Sequence, residues 1–310
     1  MYKQFRLKYL LLPILILLLF TACSTANETA EMEPTQESEA EEINSEEEVS
    51  LPNEQANLDL IEDDTIAVEF VTSDGRTLSG IYYPAAVNPA PLVILMHWAP
   101  GDQSDMAALA YWLQNRGLAM TMGMDSSGKP WLDPSWFPQM ETERTYAVFT
   151  FTFDGCEGGC SSFDRENWLL DAQAAMETAY RLDGIDQNRI ATIGASIGAD
   201  GAADGCLYLN NLHTDTCQGA FSLSPGDYLT LPYQDVVDEL SKMSPAVRVE
   251  CLYAENDTES AVACQAVPES DTYKAEMYTG NSHGLMLIQP GLYPDPLSLL
   301  LDFLAVTIDR

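Results

Sequence analysis

Residues 65–310 predict a doubly wound α/β domain on a mostly parallel sheet, and three observations carry that expectation. Apolar, β-branched runs alternate with helical patterns at least three times, the signature of strands joined by crossover helices. One of those runs, 92–96, is apolar at every position, as a strand covered on both faces must be. Neither an internal repeat nor a further boundary interrupts the alternation, and the stretch from 225 to 243 is too short for a large cap domain.

The elements follow in order. Residues 65–71 and 78–83 flank Asp74-Gly75-Arg76, a turn signal, and together predict a β-hairpin. After the apolar strand at 92–96 comes a helix over 106–113 that stops at Gly117. Phe149, Phe151 and Phe153 alternate with Thr150 and Thr152 in a strand over 146–153, and Leu169, Ala172, Met176 and Tyr180 recur at helical spacing over 168–180. A strand over 189–193 leads into a small-residue helix over 199–209. Short strands at 220–223, 247–253 and 275–278 follow, and a helix over 297–308 closes the chain.

Charge separates this domain from what precedes it. The 310 residues carry 48 Asp plus Glu against 14 Lys plus Arg, a net charge of −34. A chain so acidic lacks the basic surface that phosphate neutralisation needs, so nucleic acid is excluded as a partner, and polyanionic substrates are disfavoured. Residues 24–64 hold twelve Glu and three Asp with no cation and no aromatic, a composition that cannot repay the entropy of ordering. They predict a disordered acidic tether whose 41 residues span on the order of 35 Å. Residues 65–310 keep −22, and 46% of the chain is hydrophobic, enough for a core.

The N-terminus predicts export. Lys3, Arg6 and Lys8 precede an apolar run of 12 residues, 9–20, too short to span a bilayer but of signal-peptide length. Leu19-Phe20-Thr21-Ala22-Cys23 then resembles the lipobox of bacterial lipoproteins. That resemblance implies that 1–22 is a signal peptide, that Cys23 is lipidated, and that 23–64 tethers the body outside the cytoplasm, anchored to the cell membrane or outer membrane. Cys156, Cys160, Cys206, Cys217, Cys251 and Cys264 remain, an even number suited to an oxidising compartment. Six cysteines allow 15 connectivities. These fall in three close pairs, so sequential pairing is expected. With only three histidines and one tight Cys pair, no metal site is expected.

The chemistry lies in Gly194-Ala195-Ser196-Ile197-Gly198, a G-x-S-x-G pentapeptide between an apolar strand and a helix. A tight strand-to-helix turn there exposes Ser196 beside free helix N–H groups. A nucleophilic Ser needs a base. His213 lies in a polar stretch and His97 ends the strand at 92–96, whereas His283, in Gly280-Asn-Ser-His-Gly284, follows the last short strand. The order Ser, acid, His selects His283, with Asp257 as the acid between them and Glu255 as the alternative.

Together these motifs resemble the α/β-hydrolases, closest to the dienelactone-hydrolase-like and small esterase branches. The usual Gly-x-x-Asp reads Ala254-Glu255-Asn256-Asp257, the final His-Gly reads His283-Gly284, and His97-Trp98-Ala99 stands where the oxyanion loop begins. The family's Asp-x-Arg-Gly turn appears as Asp154-Gly155-Cys156-Glu157 without the Arg. The resemblance covers about 65–310 and implies a Ser196, His283, Asp257 triad. It also implies an oxyanion hole from the N–H groups of Ile197 and of Ala99 or Trp98, and no cofactor. The expected activity is hydrolysis of a small neutral or apolar carboxylic ester, or a lactone, by a monomer. A peptidase or acyltransferase on the same triad, or a non-catalytic binding lipoprotein on the same fold, is the alternative. The extra loop between Gly117 and Tyr146 holds Met120, Met122, Met124, Trp131, Trp136 and Phe137; Trp131 and Trp136 are candidates for an apolar wall beside the substrate, or for packing on the domain.

Overall fold

A computed structural model describes residues 65–116 and 126–309. The signal segment, the tether with Cys23, and Met120, Met122 and Met124 lie outside the described residues.

The core is one sheet of eight strands: β1 (Ile66–Val71), β2 (Thr77–Tyr83), β3 (Ala90–Met96), β4 (Ala147–Phe151), β5 (Ile185–Ala195), β6 (Cys217–Leu223), β7 (Arg248–Ala254) and β8 (Tyr273–Tyr278). Their order is β1-β2-β4-β3-β5-β6-β7-β8. β1 and β2 form the hairpin and join β4 antiparallel, whereas every pairing from β4 to β8 is parallel. This is an α/β sheet of the α/β-hydrolase type.

Among the described residues six α-helices cover it: α1 (Ala107–Gln114), α2 (Arg165–Ala179), α3 (Ile197–Leu212), α4 (Tyr233–Ser241), α5 (Thr258–Ala266) and α6 (Pro296–Thr307). Strand alternation assigns the two faces. Leu92, Ile94 and Met96 of β3 pack with α2, α3, α4 and α5, whereas Val93 and Leu95 pack with α1 and α6. On the second face the rings of Phe221 and Phe303 meet at 5.4 Å. Burial of each such ring contributes about 1.5–3 kcal/mol.

Two helices were not anticipated. In α4, Tyr233, Val236, Val237 and Leu240 recur at helical spacing and are all buried, so its apolar stripe is present in the sequence. In α5 only Ser260, Ala263 and Cys264 are buried, and so short an apolar stripe gives little periodicity. The disulfides are Cys156–Cys160 after β4, Cys206–Cys217 between α3 and β6, and Cys251–Cys264 between β7 and α5.

The chain leaves β3 for β4 in one direction and, by way of α2, enters β5 on the other side of β3. Beyond the ends of β3 and β5 the helices therefore diverge to opposite faces, which opens the crevice where sheets of this kind bind ligands. The exit of β4 is fixed beside it. Asp171, fully buried on α2, accepts from the Asp154 N–H (2.9 Å) and pairs with Arg76 of the hairpin (2.6 Å). Burial pushes this carboxyl up to about 6 against the opposing Asp154 hydrogen bond and the Arg76 charge.

Candidate active site

Ser196 stands between β5 and α3 at φ 55°, ψ −118°, a backbone conformation that a non-glycine residue rarely adopts. The turn closes only because its flanking residues lack side chains. A Cβ on Gly194 would sit 1.8 Å from the Gly198 carbonyl oxygen, and one on Gly198 would sit 2.2 Å from that of Met96. The first turn of α3 is thereby pressed onto the end of β3. Ser196 N–H donates to Leu223 O (2.8 Å), which ties the turn to β6. The first N–H groups of α3, Ile197 among them, have no acceptor within the helix.

Register delivers the other two residues. Ala195, Leu223 and Leu252 are successive ladder partners across β5, β6 and β7, so Ser196 and the exits of β6 and β7 share one edge of the sheet. Asp257 opens α5 just beyond β7, and its Oδ2 accepts from His283 Nδ1 at 2.7 Å. Glu255, the alternative acid, instead accepts from the Gly280 N–H (3.2 Å) and braces the exit of β8. Ser196 Oγ makes no direct hydrogen bond to His283 in this structure. Bonds of that kind commonly tighten only when substrate is bound.

Neither of the other histidines is placed to serve Ser196. His213 caps the far end of α3, on the order of 24 Å along a 16-residue helix, and stacks on Tyr180 at 4.2 Å. His97 is fully buried, its Nε2 accepting from Phe153 N–H (3.0 Å) and its Nδ1–H donating to Trp98 O (2.7 Å). Burial lowers it to about 4, so it is neutral near pH 7.

The aromatic residues divide into two groups. Trp98 donates from Nε1 to Asp105 (2.7 Å), which also pairs with Lys129 (2.6 Å), and its ring meets Trp131 edge-on at 4.7 Å. Trp98 lies against Gly284, where a Cβ would come within 2.7 Å of the indole. Trp131 is 8% exposed and packs in the core beneath Trp98, while Trp136 lies half-buried at its margin. The second group was not anticipated. Tyr228 lies edge-on to His283 (6.2 Å) and to Phe163 (6.4 Å), and Phe163 is 60% exposed. Arg165 holds this side together by donating to the carbonyls of Asp227 and Leu229. Ser224, at φ 58°, was also missed; its Oγ accepts from Gly284 N–H (3.0 Å) and ties the His283 loop to β6.

No protein-family model matches this sequence, and no curated protein is a match in sequence. Solved structures do resemble the fold. The esterase Pf2001 of Pyrococcus furiosus superposes with a TM-score of 0.52 at 16% identity, covering 81% of this chain and 95% of that one. The alpha/beta hydrolase GrgF from Penicillium sp. sh18 gives 0.52 at 13%, covering 79% and 99%. The 2,6-dihydroxy-pseudo-oxynicotine hydrolase gives 0.50 at 14%, covering 79% and 68%. Identities this low establish a shared α/β-hydrolase fold.

Beneath Ser196, α3 carries two buried carboxyls one turn apart. Asp200 Oδ2 accepts from the N–H groups of Gly226 (3.3 Å) and Tyr228 (2.8 Å), while its Oδ1 and Asp204 Oδ2 have no partner among the described residues. Among the described residues no cation pairs with either, and Asp227 and Tyr233 face the same region. Burial pushes Asp200 up to about 7, and burial with the Asp200 and Asp227 charges holds Asp204 well above the carboxylate range. The folded chain thus keeps protons that the unfolded chain releases near 3.8. The contribution of Asp200 to stability is therefore fully present below about 4 and is lost as pH rises from about 4 to about 7, by up to about 1.4 kcal/mol per pH unit. Asp200→Asn keeps the acceptor for both N–H groups and removes the titration. Urea unfolding of the oxidised protein at several pH values should give a flatter dependence for the variant; equal slopes would contradict this assignment.

Proposed function

We propose that this chain is a serine hydrolase of small neutral or apolar carboxylic esters, exported and held at a membrane by a lipid on Cys23. The observation that carries the reading is the His283–Asp257 hydrogen bond at the sheet edge that also bears a serine held at φ 55°. Strain of that order costs about 1–3 kcal/mol and persists where a site demands it.

His283 Nε2 takes the proton of Ser196 Oγ, whose oxygen attacks the ester carbonyl. Asp257 holds the Nδ1–H tautomer and stabilises the imidazolium. The tetrahedral oxyanion is met by N–H groups of Ile197 and Ala99, donors that belong to the backbone and need no particular side chain. Collapse breaks the acyl–oxygen bond, the imidazolium proton passes to the departing alkoxide, and water then releases the acid from the acyl-enzyme by the same steps. Trp98 as the second donor is less favoured: its carbonyl is fixed by His97, and in a trans peptide the N–H that points opposite to that carbonyl is that of Ala99.

Charge and aromatic surface bear on the substrate. A body of −22 repels anionic acyl groups. Phe163 and Tyr228 offer an apolar wall beside His283, while Trp131 packs edge-on against Trp98 and Trp136 lies at the margin of the same cluster.

A fluorophosphonate should label Ser196 of the wild type and leave Ser196→Ala unlabelled, with hydrolysis of p-nitrophenyl acetate falling by a factor on the order of 10³–10⁶. An unlabelled wild type would favour the binding lipoprotein, and a panel of esters, lactones and peptides separates esterase from peptidase. Phe163→Ala, at an exposed position, should fold normally and lower the preference for aryl over acetyl esters several-fold; an unchanged preference would remove Phe163 from the substrate wall. In a bacterial host, Cys23→Ser should abolish incorporation of an alkyne-palmitate label and release the protein from membranes, and persistent labelling would refute lipidation at Cys23.

A further inference from the structure

The loop closed by Cys156–Cys160 makes its contacts with the segment that bears the oxyanion donor. Cys160 N–H donates to Ala99 O (2.8 Å), and Gly158 N–H donates to Asp102 Oδ2 (2.7 Å). Gly159, at φ 121°, passes so close that a Cβ there would sit 2.9 Å from Pro100 O. Just upstream, Phe153 N–H donates to the buried His97, whose other nitrogen fixes Trp98 O. Residues 97, 98, 99, 100 and 102 are thus all engaged, directly or through His97, by residues 153–160.

These contacts act on the peptide units that matter. The Trp98–Ala99 unit carries the Ala99 N–H, and its carbonyl is held from within by His97 and by Gly101 N–H (3.2 Å). The next unit, Ala99–Pro100, has no N–H, so its only strong handle is Ala99 O, and Cys160 takes it. Both flanks of the Ala99 N–H are therefore set.

A five-residue loop with glycines at 158 and 159, entered through a third at 155, would not hold that geometry unaided, since all three adopt positive φ. The disulfide removes the freedom. Its Cys156 end is fully buried in the core, next to the β4 exit that Asp171 anchors. The loop is further closed by Gly159 N–H to Cys156 O (2.9 Å) and by Ser161 N–H to Gly155 O (2.9 Å).

The geometry points to the Cys156–Cys160 loop as the positioning element of the oxyanion hole: Cys160 and Gly159 aim the Ala99 N–H, and the disulfide keeps them in place. The inference rests on the serine-hydrolase reading above. The residues of the loop act through Ala99, and the effect belongs to the transition state, where negative charge develops on the carbonyl oxygen. Ground-state binding of the substrate does not depend on them. Loss of one oxyanion donor in enzymes of this chemistry costs on the order of 10²–10³ in kcat, and misplacement by an ångström on the order of 10².

The test uses the oxidised protein with the double substitution Cys156→Ser and Cys160→Ser, which leaves the other two disulfides intact. Expected are a 10- to 100-fold fall in kcat for p-nitrophenyl acetate, KM within about twofold, and a matching loss of affinity for a trifluoromethyl ketone, which forms a tetrahedral oxyanion on Ser196. Gly159→Ala retains the disulfide but drives a Cβ against Pro100 O, and should reproduce the kcat fall if the double variant does not fold. A purely structural disulfide would lower the melting temperature while leaving kcat and ketone affinity unchanged well below it, and that result in a variant whose wild type is active overturns the inference alone. A wild type that neither hydrolyses esters nor forms a phosphonate adduct overturns the serine-hydrolase reading and the inference with it.

Discussion

The site depends on a single close approach, the contact of the α3 N-terminus with the end of β3. Gly198 lies where any Cβ would meet the carbonyls of Met96 and His97, and Gly194 lies where any Cβ would meet Gly198. Because both side chains are absent, the helix begins against the strand, and three consequences follow together. Ser196 is forced to positive φ, the unbonded N–H groups of the first helical turn face the crevice, and the backbone after His97 is brought alongside them. With a side chain at either glycine, Ser196, the helix dipole and the segment after His97 would separate.

Around that contact the polar groups are arranged to hold backbone, and few act on the reacting centre. His97 joins the exits of β3 and β4, Ser224 joins β6 to the His283 loop, and Asp200 joins α3 to residues 226–228. Each sits inside and is bonded to main-chain groups, so each contributes geometry at the cost of burying a polar or ionisable side chain. The aspartates of α3 are the extreme case. α3 carries two buried carboxyls near its positive end, Asp200 in the first turn and Asp204 one turn on, and burial raises the proton affinity of both, which weakens their opposition to that end.

The sequence made much of this legible, and the reasons for the gaps are physical. All eight strands correspond to runs read from apolar periodicity, because a strand covered on both faces announces itself in consecutive residues such as Leu92 to Met96. The pentapeptide around Ser196 was readable because glycine is the residue that such a turn requires. Asp257 and His283 were readable from chain order, and their contact depends on the register of β5, β6 and β7, which lies beyond local pattern. Tyr228, Phe163 and Ser224 carried no such mark. The partners of Tyr228 and Ser224, His283 and Gly284, are distant in sequence, and Phe163 itself lies in a loop, where spacing has no period to violate. The helix α5 was hidden for a different reason: an Ala-rich turn anchored by one disulfide needs few apolar residues to stay in place.

The three disulfides span 4, 11 and 13 residues. Loop-closure entropy grows with the logarithm of loop length, so each cysteine meets its native partner more often than any other even in the unfolded chain. The native set is therefore the one that polymer statistics already favour among 15, and oxidation can precede folding without trapping the wrong topology. Spacing alone thus biases the oxidation of this chain toward its native pairing.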